Sequence, residues 1–231
     1  MSPESIPAIE ARGLARRFGA RWCLRGVSFS VSAGEVVGLT GSNGSGKTTL
    51  LRMLSTLLAP SAGSGRVLGH DIVSDADAVR QNIGFLAHTA GLYEDLTAAE
   101  NLRFAASMYG IKDAGIPEVL KLVGLGTVGD SRVRGFSAGM QRRLALARLV
   151  LARPRVLLLD EPYANLDTAG IAMMNEVIRG ARDRGGAALL VLHELAPAEG
   201  VLNRLETIVA GRIGSPAGVT AGLGEPVGAA T

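Results

Sequence analysis

The chain has 231 residues, of which 47% are hydrophobic and only 4% aromatic, so one sizeable domain with a mainly aliphatic core is expected. The formal net charge of +3 is too small to predict a nucleic-acid partner, and a single cysteine excludes an internal disulfide and fits a reducing cytosol. The start of the chain lacks a signal-peptide pattern and no apolar run approaches 18 residues, so no membrane span is expected.

The first 40 residues are predicted to be rich in β-strand. Residues 27–32 alternate hydrophobic side chains with serines, which is the pattern of a half-buried strand. A buried strand is predicted next, over Val36–Thr40. Upstream, Phe18 and Trp22 are two rings that can stack on an adenine base or pack in the ordinary way, and we favour Phe18 for stacking.

A glycine-rich loop follows this strand and fits the pattern G-x-x-x-x-G-K-[ST]. Its small residues let successive backbone N–H groups face phosphate oxygens, while Lys47 reaches the β- and γ-phosphates and the Thr48 hydroxyl ligates Mg²⁺. Apolar residues at helical spacing over 50–58 predict a helix whose positive end faces the same phosphates. The loop residues predicted to contact nucleotide are Gly41, Ser42, Asn43, Gly44, Ser45, Gly46, Lys47, Thr48 and Thr49.

The next stretch is predicted to be irregular. Residues 60–73 are expected to form loops and turns because glycine, serine and proline are frequent there. A short helix over residues 75–81, capped by Ser74, and a strand over residues 83–87 are expected to follow.

The middle of the chain is predicted to be helical. Thr97 and Glu100 have the spacing of a capping box, which predicts a helix from about Ala98 to Gly110, and Pro117 opens another helix. We therefore expect one domain with a core, an inserted helical subdomain and a mobile C-terminal tail. Their bounds are about 1–91 and 151–213 for the core, 92–150 for the subdomain and 214–231 for the tail.

Two further strands are predicted to end in chemically active side chains. An apolar run over residues 156–159 ends in Asp160, which is expected to hold Mg²⁺, and Glu161 is expected to polarise an attacking water. His193 closes the last predicted strand, an apolar run over residues 187–192, and it can contact the γ-phosphate there. The alternatives are a surface salt bridge for Glu161 and a structural histidine for His193.

Ser137 is predicted to begin a helix, with Met140 and Leu144 on its apolar face. A serine followed by a small residue and Gly139 offers a hydroxyl group and free backbone N–H groups to an anion. The alternative is that Ser137 is only an N-cap.

With these motifs in place, the chain resembles the ATP-binding cassette of ABC transporters over nearly its whole length. The matching pieces are GSNGSGKT, the signature FSAGMQRR, VLLLDEP, the loop ANLD that ends at Asp167, and the switch histidine His193. The resemblance implies an α/β fold, with a P-loop NTPase (RecA-like) core, an antiparallel β region and an inserted α-helical subdomain. It also implies ATPase activity with ATP and Mg²⁺, in which Lys47, Glu161 and His193 take part in catalysis.

The partners implied by the resemblance are a second cassette and a membrane-spanning transporter subunit. Each ATP would lie between the phosphate loop of one chain and the signature of the other, with Ser137, Gly139 and Asp167 among the nucleotide-binding positions. The chain would then be cytoplasmic and peripheral to the inner face of the cell membrane, where ATP hydrolysis drives transport.

The sequence departs from the family pattern at three places, one of which is the pair Ala164 and Asn165 before Leu166 and Asp167. Phe136, Ala138 and Met140 differ from the usual LSGGQ, although the serine and the second glycine remain. His88 stands where the family has a glutamine, and we expect it near Mg²⁺ through a metal-bound water, together with Thr48 and Asp160. His88 and the segment ENLRF resemble the ATP-binding subunit of the heme exporter of cytochrome c maturation.

Three other functions stay open at this point. An ABC exporter for a different substrate and a soluble ABC ATPase of the iron–sulfur assembly type both fit the motifs. A small-molecule P-loop kinase leaves the signature and His193 unexplained.

Overall fold

A computed structural model describes residues 6–112 and 115–214 as two β-sheets with helices packed on them. The strands are β1 (Ile9–Phe18), β2 (Arg21–Val31), β3 (Val36–Thr40), β4 (Ala62–Val67), β5 (His70–Asp71), β6 (Ile83–Leu86), β7 (Val156–Asp160), β8 (Ala187–Val191), β9 (Arg204–Val209) and β10 (Arg212–Gly214). The α-helices are α1 (Lys47–Leu54), α2 (Ala76–Asn82), α3 (Ala98–Met108), α4 (Ile116–Leu122), α5 (Ala138–Ala152) and α6 (Thr168–Asp183). In this part of the chain no helix is both long and apolar enough to cross a membrane.

The central sheet has the strand order β10-β9-β3-β8-β7-β6 and is parallel except for β10. Every residue of β7 and β8 is buried, as expected for strands covered on both faces. Leu158 packs on the side of α1 and the antiparallel sheet, whereas Leu157 and Leu159 pack on the side of α5 and α6. Because these strands are parallel, the carboxyl ends of β3, β7 and β8 meet at one edge of the sheet.

The second sheet is antiparallel, with the order β2-β1-β4-β5. The predicted alternation in β2 is confirmed, because Val27 and Val31 are buried and the serines between them are exposed. The prediction of loops and turns over residues 60–73 is wrong, because β4 pairs with β1 along most of its length. Gly63 has φ +79° and lies so close to the Gly13 carbonyl that a Cβ would collide with it. The glycine that indicated a turn is therefore required by a close approach of two strands.

Two other predictions about the secondary structure need correction. The strand that precedes His193 is not the last one, since β9 follows it beside β3 and pairs with β10. The residues of β9 are mostly half-buried and mix charged with apolar side chains, so the sequence of β9 lacks a clear apolar run. The N-cap of α2 is Asp75 and not Ser74, and the Asp75 side chain makes no capping hydrogen bond.

The helical middle of the chain forms as predicted. The capping box of α3 is confirmed, because the Thr97 hydroxyl accepts from the Glu100 N–H and the Glu100 carboxylate accepts from the Thr97 N–H. Helices α3, α4 and α5 share an apolar cluster that includes Leu102, Leu120 and Leu144. The division into a core and an inserted subdomain stays a prediction. Of the predicted mobile tail over residues 214–231, Gly214 instead pairs with Thr207 in β10, and the rest lies outside the described residues.

Candidate active site

The phosphate-loop motif lies where the sequence predicts it, between the end of β3 and the start of α1. Gly46 precedes α1 with φ +111°, and a Cβ at this position would collide with the Leu24 side chain. Ser42, Asn43 and Gly44 form an exposed tip, and Thr49 lies with its hydroxyl 3.3 Å from the Cys23 sulfur. The loop therefore presents the N-terminus of α1, with its unpaired backbone N–H groups, at the carboxyl edge of the central sheet.

Two side chains of this loop suit an anion. The Lys47 ammonium group is nearly buried and donates to the carbonyl oxygens of Gly41, at 2.6 Å, and Ser42, at 3.1 Å. The hydroxyl oxygen of Ser45 is buried and has no hydrogen-bond partner within the described residues. A buried hydroxyl without a partner, beside a lysine that holds the loop, fits a site that receives phosphate oxygens.

The hydroxyl group of Thr48 and the carboxylate of Asp160 meet at this edge. The Thr48 Oγ1 donates to Asp160 Oδ2 at 2.7 Å, and Asp160 is only 1% exposed. Hydroxyl and carboxylate oxygens are the ligands that Mg²⁺ prefers. Mg²⁺ usually keeps several waters and takes phosphate oxygens beside one or two protein ligands, so this pair fits a Mg²⁺ ion bound together with a nucleotide.

The carboxylate of Glu161 lies between two histidines. Its Oε1 is 2.8 Å from Nε2 of His193, and its Oε2 is 3.1 Å from Nδ1 of His88. The side chain of Glu161 is 27% exposed, whereas His88 is 67% and His193 45% exposed. These three residues follow β7, β6 and β8 respectively, so adjacent parallel strands bring them together. The structure places His88 against Glu161, and its assignment to the metal stays a prediction.

A buried arginine that the sequence reasoning missed holds the backbone of this region. Arg142, on α5, donates from Nη1 to the Ala87 carbonyl at 2.8 Å and from Nε to the Pro162 carbonyl at 3.3 Å. Its Nη2 donates to the carbonyls of Asp160, at 2.9 Å, and Glu161. Burial lowers the pKa of Arg142, and the nearby carboxylates of Asp160 and Glu161 partly oppose this effect. Nothing in the local sequence distinguished Arg142 from the arginine beside it.

The predicted signature residues form local caps. Ser137 is the N-cap of α5, with its Oγ accepting from the Met140 N–H at 3.2 Å, and Gly139 lies against the Asn165 carbonyl. Asp167 is the N-cap of α6 and forms an ion pair with Arg143 at 2.6 Å. Hydrogen bonds, first from the Gly170 N–H and then from the arginine, lower the pKa of Asp167. In the described part of the chain, no hydrogen bond joins these signature residues to the phosphate loop.

The two candidate aromatic rings lie at the β1–β2 turn. Phe18 is 50% exposed and the guanidinium carbon of Arg16 is 4.9 Å from its ring centroid. The guanidinium carbon of Arg17 is 5.7 Å from the ring centroid of Trp22. Both rings are partly exposed, and stacking of adenine on Phe18 stays a prediction.

Comparison with known proteins agrees with this geometry. The family model described as ABC transporter matches residues 24–164. The chain is 39% identical over 210 residues to the daunorubicin resistance ATP-binding protein DrrA3 of Streptomyces coeruleorubidus, which covers 89% of the chain and 66% of that protein. It is also 39% identical over 202 residues to the cytochrome c biogenesis ATP-binding export protein CcmA 2 of Cupriavidus metallidurans, covering 86% of the chain and 95% of that protein.

Among solved structures, the chain is similar to the ATP-binding subunit of an ABC transporter. The TM-score is 0.83 and the identity 30%, with 89% of this chain and 88% of that chain covered. The P-loop NTPase fold is therefore confirmed. The chain spans just under two thirds of the length of the two daunorubicin-resistance relatives that it matches.

Proposed function

The chain belongs to the ABC transporter family, whose ATP-binding subunits hydrolyse ATP, and from this membership we propose that it is the ATPase subunit that drives a membrane-spanning partner. The observation that carries the proposal is the Glu161 carboxylate held between His88 and His193, directly after the strand that brings Asp160 to Thr48. An arrangement of this kind serves hydrolysis and not binding alone.

Each part of the site has a role in this proposal. The loop N–H groups and Lys47 bind the phosphates of ATP, and Glu161 accepts the proton of a water that attacks the γ-phosphorus, which releases ADP and phosphate. His193 orients Glu161 and contacts the γ-phosphate. Thr48 and Asp160 would hold Mg²⁺, which neutralises charge on the β- and γ-phosphate oxygens.

The signature residues point to a second cassette. Ser137, Gly139 and Asp167 make their hydrogen bonds and contacts with α5, with α6 and with the loop before α6, and among the described residues none of these contacts reaches the phosphate loop. We therefore infer that they serve the nucleotide bound by another copy of the cassette. A site completed by two chains explains why a motif that resembles an anion site lies apart from the loop of its own chain.

An exposed apolar groove supports a membrane-spanning partner. It lies among α2, α3, α5 and the segments that follow α1 and β6. Exposed large hydrophobic side chains line it: Leu57, Tyr93, Phe104, Met108 and Tyr109. We propose that a helix of the partner binds this groove, and that the chain therefore works at the cytoplasmic face of the cell membrane, as the family resemblance implies.

For the substrate we propose heme export in cytochrome c biogenesis. The support is the similarity to CcmA 2 together with His88 and the segment over residues 100–104. Export of a drug-like compound is the second candidate, because the similarity to DrrA3 is equally high. A soluble ATPase of the iron–sulfur assembly type is the third.

Deletion of the gene in its native host tests these candidates. Heme export requires that covalent heme in c-type cytochromes is lost and returns with the wild-type gene but not with Glu161→Gln. Normal c-type cytochromes with increased daunorubicin sensitivity would favour the drug exporter. Affinity purification from detergent-solubilised membranes should recover a membrane-spanning subunit, and its absence would favour the soluble ATPase.

A further inference from the structure

The buried guanidinium of Arg142 has no role in the mechanism described so far. It is 4% exposed, and among the described residues it forms hydrogen bonds with backbone carbonyls and no ion pair with a carboxylate. A buried charge is costly, and an apolar side chain of similar volume would fill the same space at lower cost. Because the N–H groups of Arg142 bind only backbone carbonyls among the described residues, we infer that this side chain holds the backbone in position.

The carbonyls that Arg142 binds belong to an unusual turn. Glu161 has φ +49°, a left-handed conformation that is unfavourable for a residue other than glycine. The carbonyls of residues 160–162 all accept from one guanidinium, which stabilises this conformation. The turn separates two adjacent side chains, so that Asp160 faces Thr48 while Glu161 faces His193.

The fourth carbonyl that accepts from Arg142 lies beside His88, which contacts the Glu161 carboxylate from the side opposite His193. Ala87, whose carbonyl accepts from Nη1 of Arg142, immediately precedes His88. One side chain thus fixes the backbone beside both members of the contact between His88 and Glu161. A planar guanidinium with five N–H donors can span several carbonyls at once, whereas a lysine ammonium acts as a compact point charge.

We propose that Arg142 is a positioning residue that fixes the left-handed turn at Glu161 and the backbone beside His88, and thereby holds the Glu161 carboxylate in place for hydrolysis. The inference rests on the proposed role of Glu161. Since Arg142 is on the helix that Ser137 caps, a displacement of that helix reaches Glu161 through these hydrogen bonds.

The first test is Arg142→Lys in the full chain, with ATP hydrolysis and nucleotide binding measured separately. We expect kcat to fall by about 10²-fold, as is found when a catalytic group is displaced by about 1 Å. KM for ATP should stay within about twofold, because Arg142 makes no hydrogen bond with the phosphate loop in the described residues. Arg142→Gln is measured alongside, so that one misfolded variant does not decide the outcome.

The second test combines each substitution with Glu161→Gln in single-turnover experiments. If Arg142 acts through the Glu161 carboxylate, adding Arg142→Lys should change the residual rate by less than about twofold. Arg155→Lys is the matched control, because this exposed arginine precedes the same strand at its opposite end. We expect it to leave kcat unchanged.

The outcomes separate the two proposals. Three results would overturn the positioning role. The rate losses of Arg142→Lys and Glu161→Gln could multiply in the double variant, kcat could be unchanged in both Arg142 variants, or nucleotide affinity could fall as much as kcat does. A wild-type chain without ATPase activity, or a Glu161→Gln variant with normal activity, would instead overturn the proposed function itself.

Discussion

Replacing Glu161 by glutamine removes the proposed base and changes little else. Glutamine has nearly the same size, and its amide can still face His193 and His88, whose contacts with the carboxylate are 2.8 Å and 3.1 Å long. Loss of a general base lowers turnover by roughly 10²–10⁴-fold, which corresponds to about 2.7–5.4 kcal/mol in activation free energy. The free energy of unfolding should change by less than about 1.5 kcal/mol, because neutral hydrogen bonds replace those to a partly exposed carboxylate.

The assay is phosphate release under saturating ATP, with ATP affinity and thermal unfolding measured on the same preparation. Glu161→Gln should bind ATP with unchanged or higher affinity and accumulate as an ATP-bound dimer. Glu199→Gln, an exposed glutamate in the connection after β8, is the matched control and should keep wild-type turnover. Turnover within about threefold of wild type in Glu161→Gln would refute the assignment of this residue as the base.

Three more predictions follow from the structure. Mixing a Lys47→Ala chain with a Ser137→Arg chain should restore part of the ATPase activity, since each mixed dimer keeps one intact composite site; no recovery with mixed dimers present would contradict this arrangement. Gly63→Ala should lower the free energy of unfolding in urea by about 2 kcal/mol or more, through strain and collision, and by clearly more than Gly26→Ala, where a Cβ meets only open space. Asp167 has a lowered pKa, so the stability difference between wild type and Asp167→Asn should be present at neutral pH and disappear as the pH falls below about 4; an equal difference at pH 3 and pH 7 would contradict it.

Local spacing made much of this fold and site predictable. The phosphate loop, the capping box at Thr97 and the buried strand that ends at Asp160 each occupy a few consecutive residues, so their geometry is encoded where it occurs. The strands β7 and β8 were equally clear, because a strand buried on both faces is a continuous apolar run.

The features that the sequence did not predict depend on contacts between residues that are far apart in the chain. Gly63 is indistinguishable from a turn glycine until β4 is placed against β1, and β9 lies near the sheet edge, where half-buried positions need no apolar pattern. The contacts of Arg142 and of His88 with the Glu161 turn depend on which strands are neighbours in space. Such contacts follow from topology, which no short stretch of sequence specifies.

The order of strands in the central sheet also determines when the site can form during synthesis. Strand β3, which carries the phosphate loop, has β8 and β9 as its neighbours, and the hydroxyl groups of Thr40 and Thr207 meet although they are 167 positions apart in the chain. At about 5–20 residues per second, a ribosome needs roughly 10–30 s to cover that distance. The antiparallel pairing of β1, β2 and β4 can form early in this interval, whereas β3 waits for both of its neighbours. A nascent chain is therefore expected to acquire nucleotide binding only after residues 204–209 have left the ribosome.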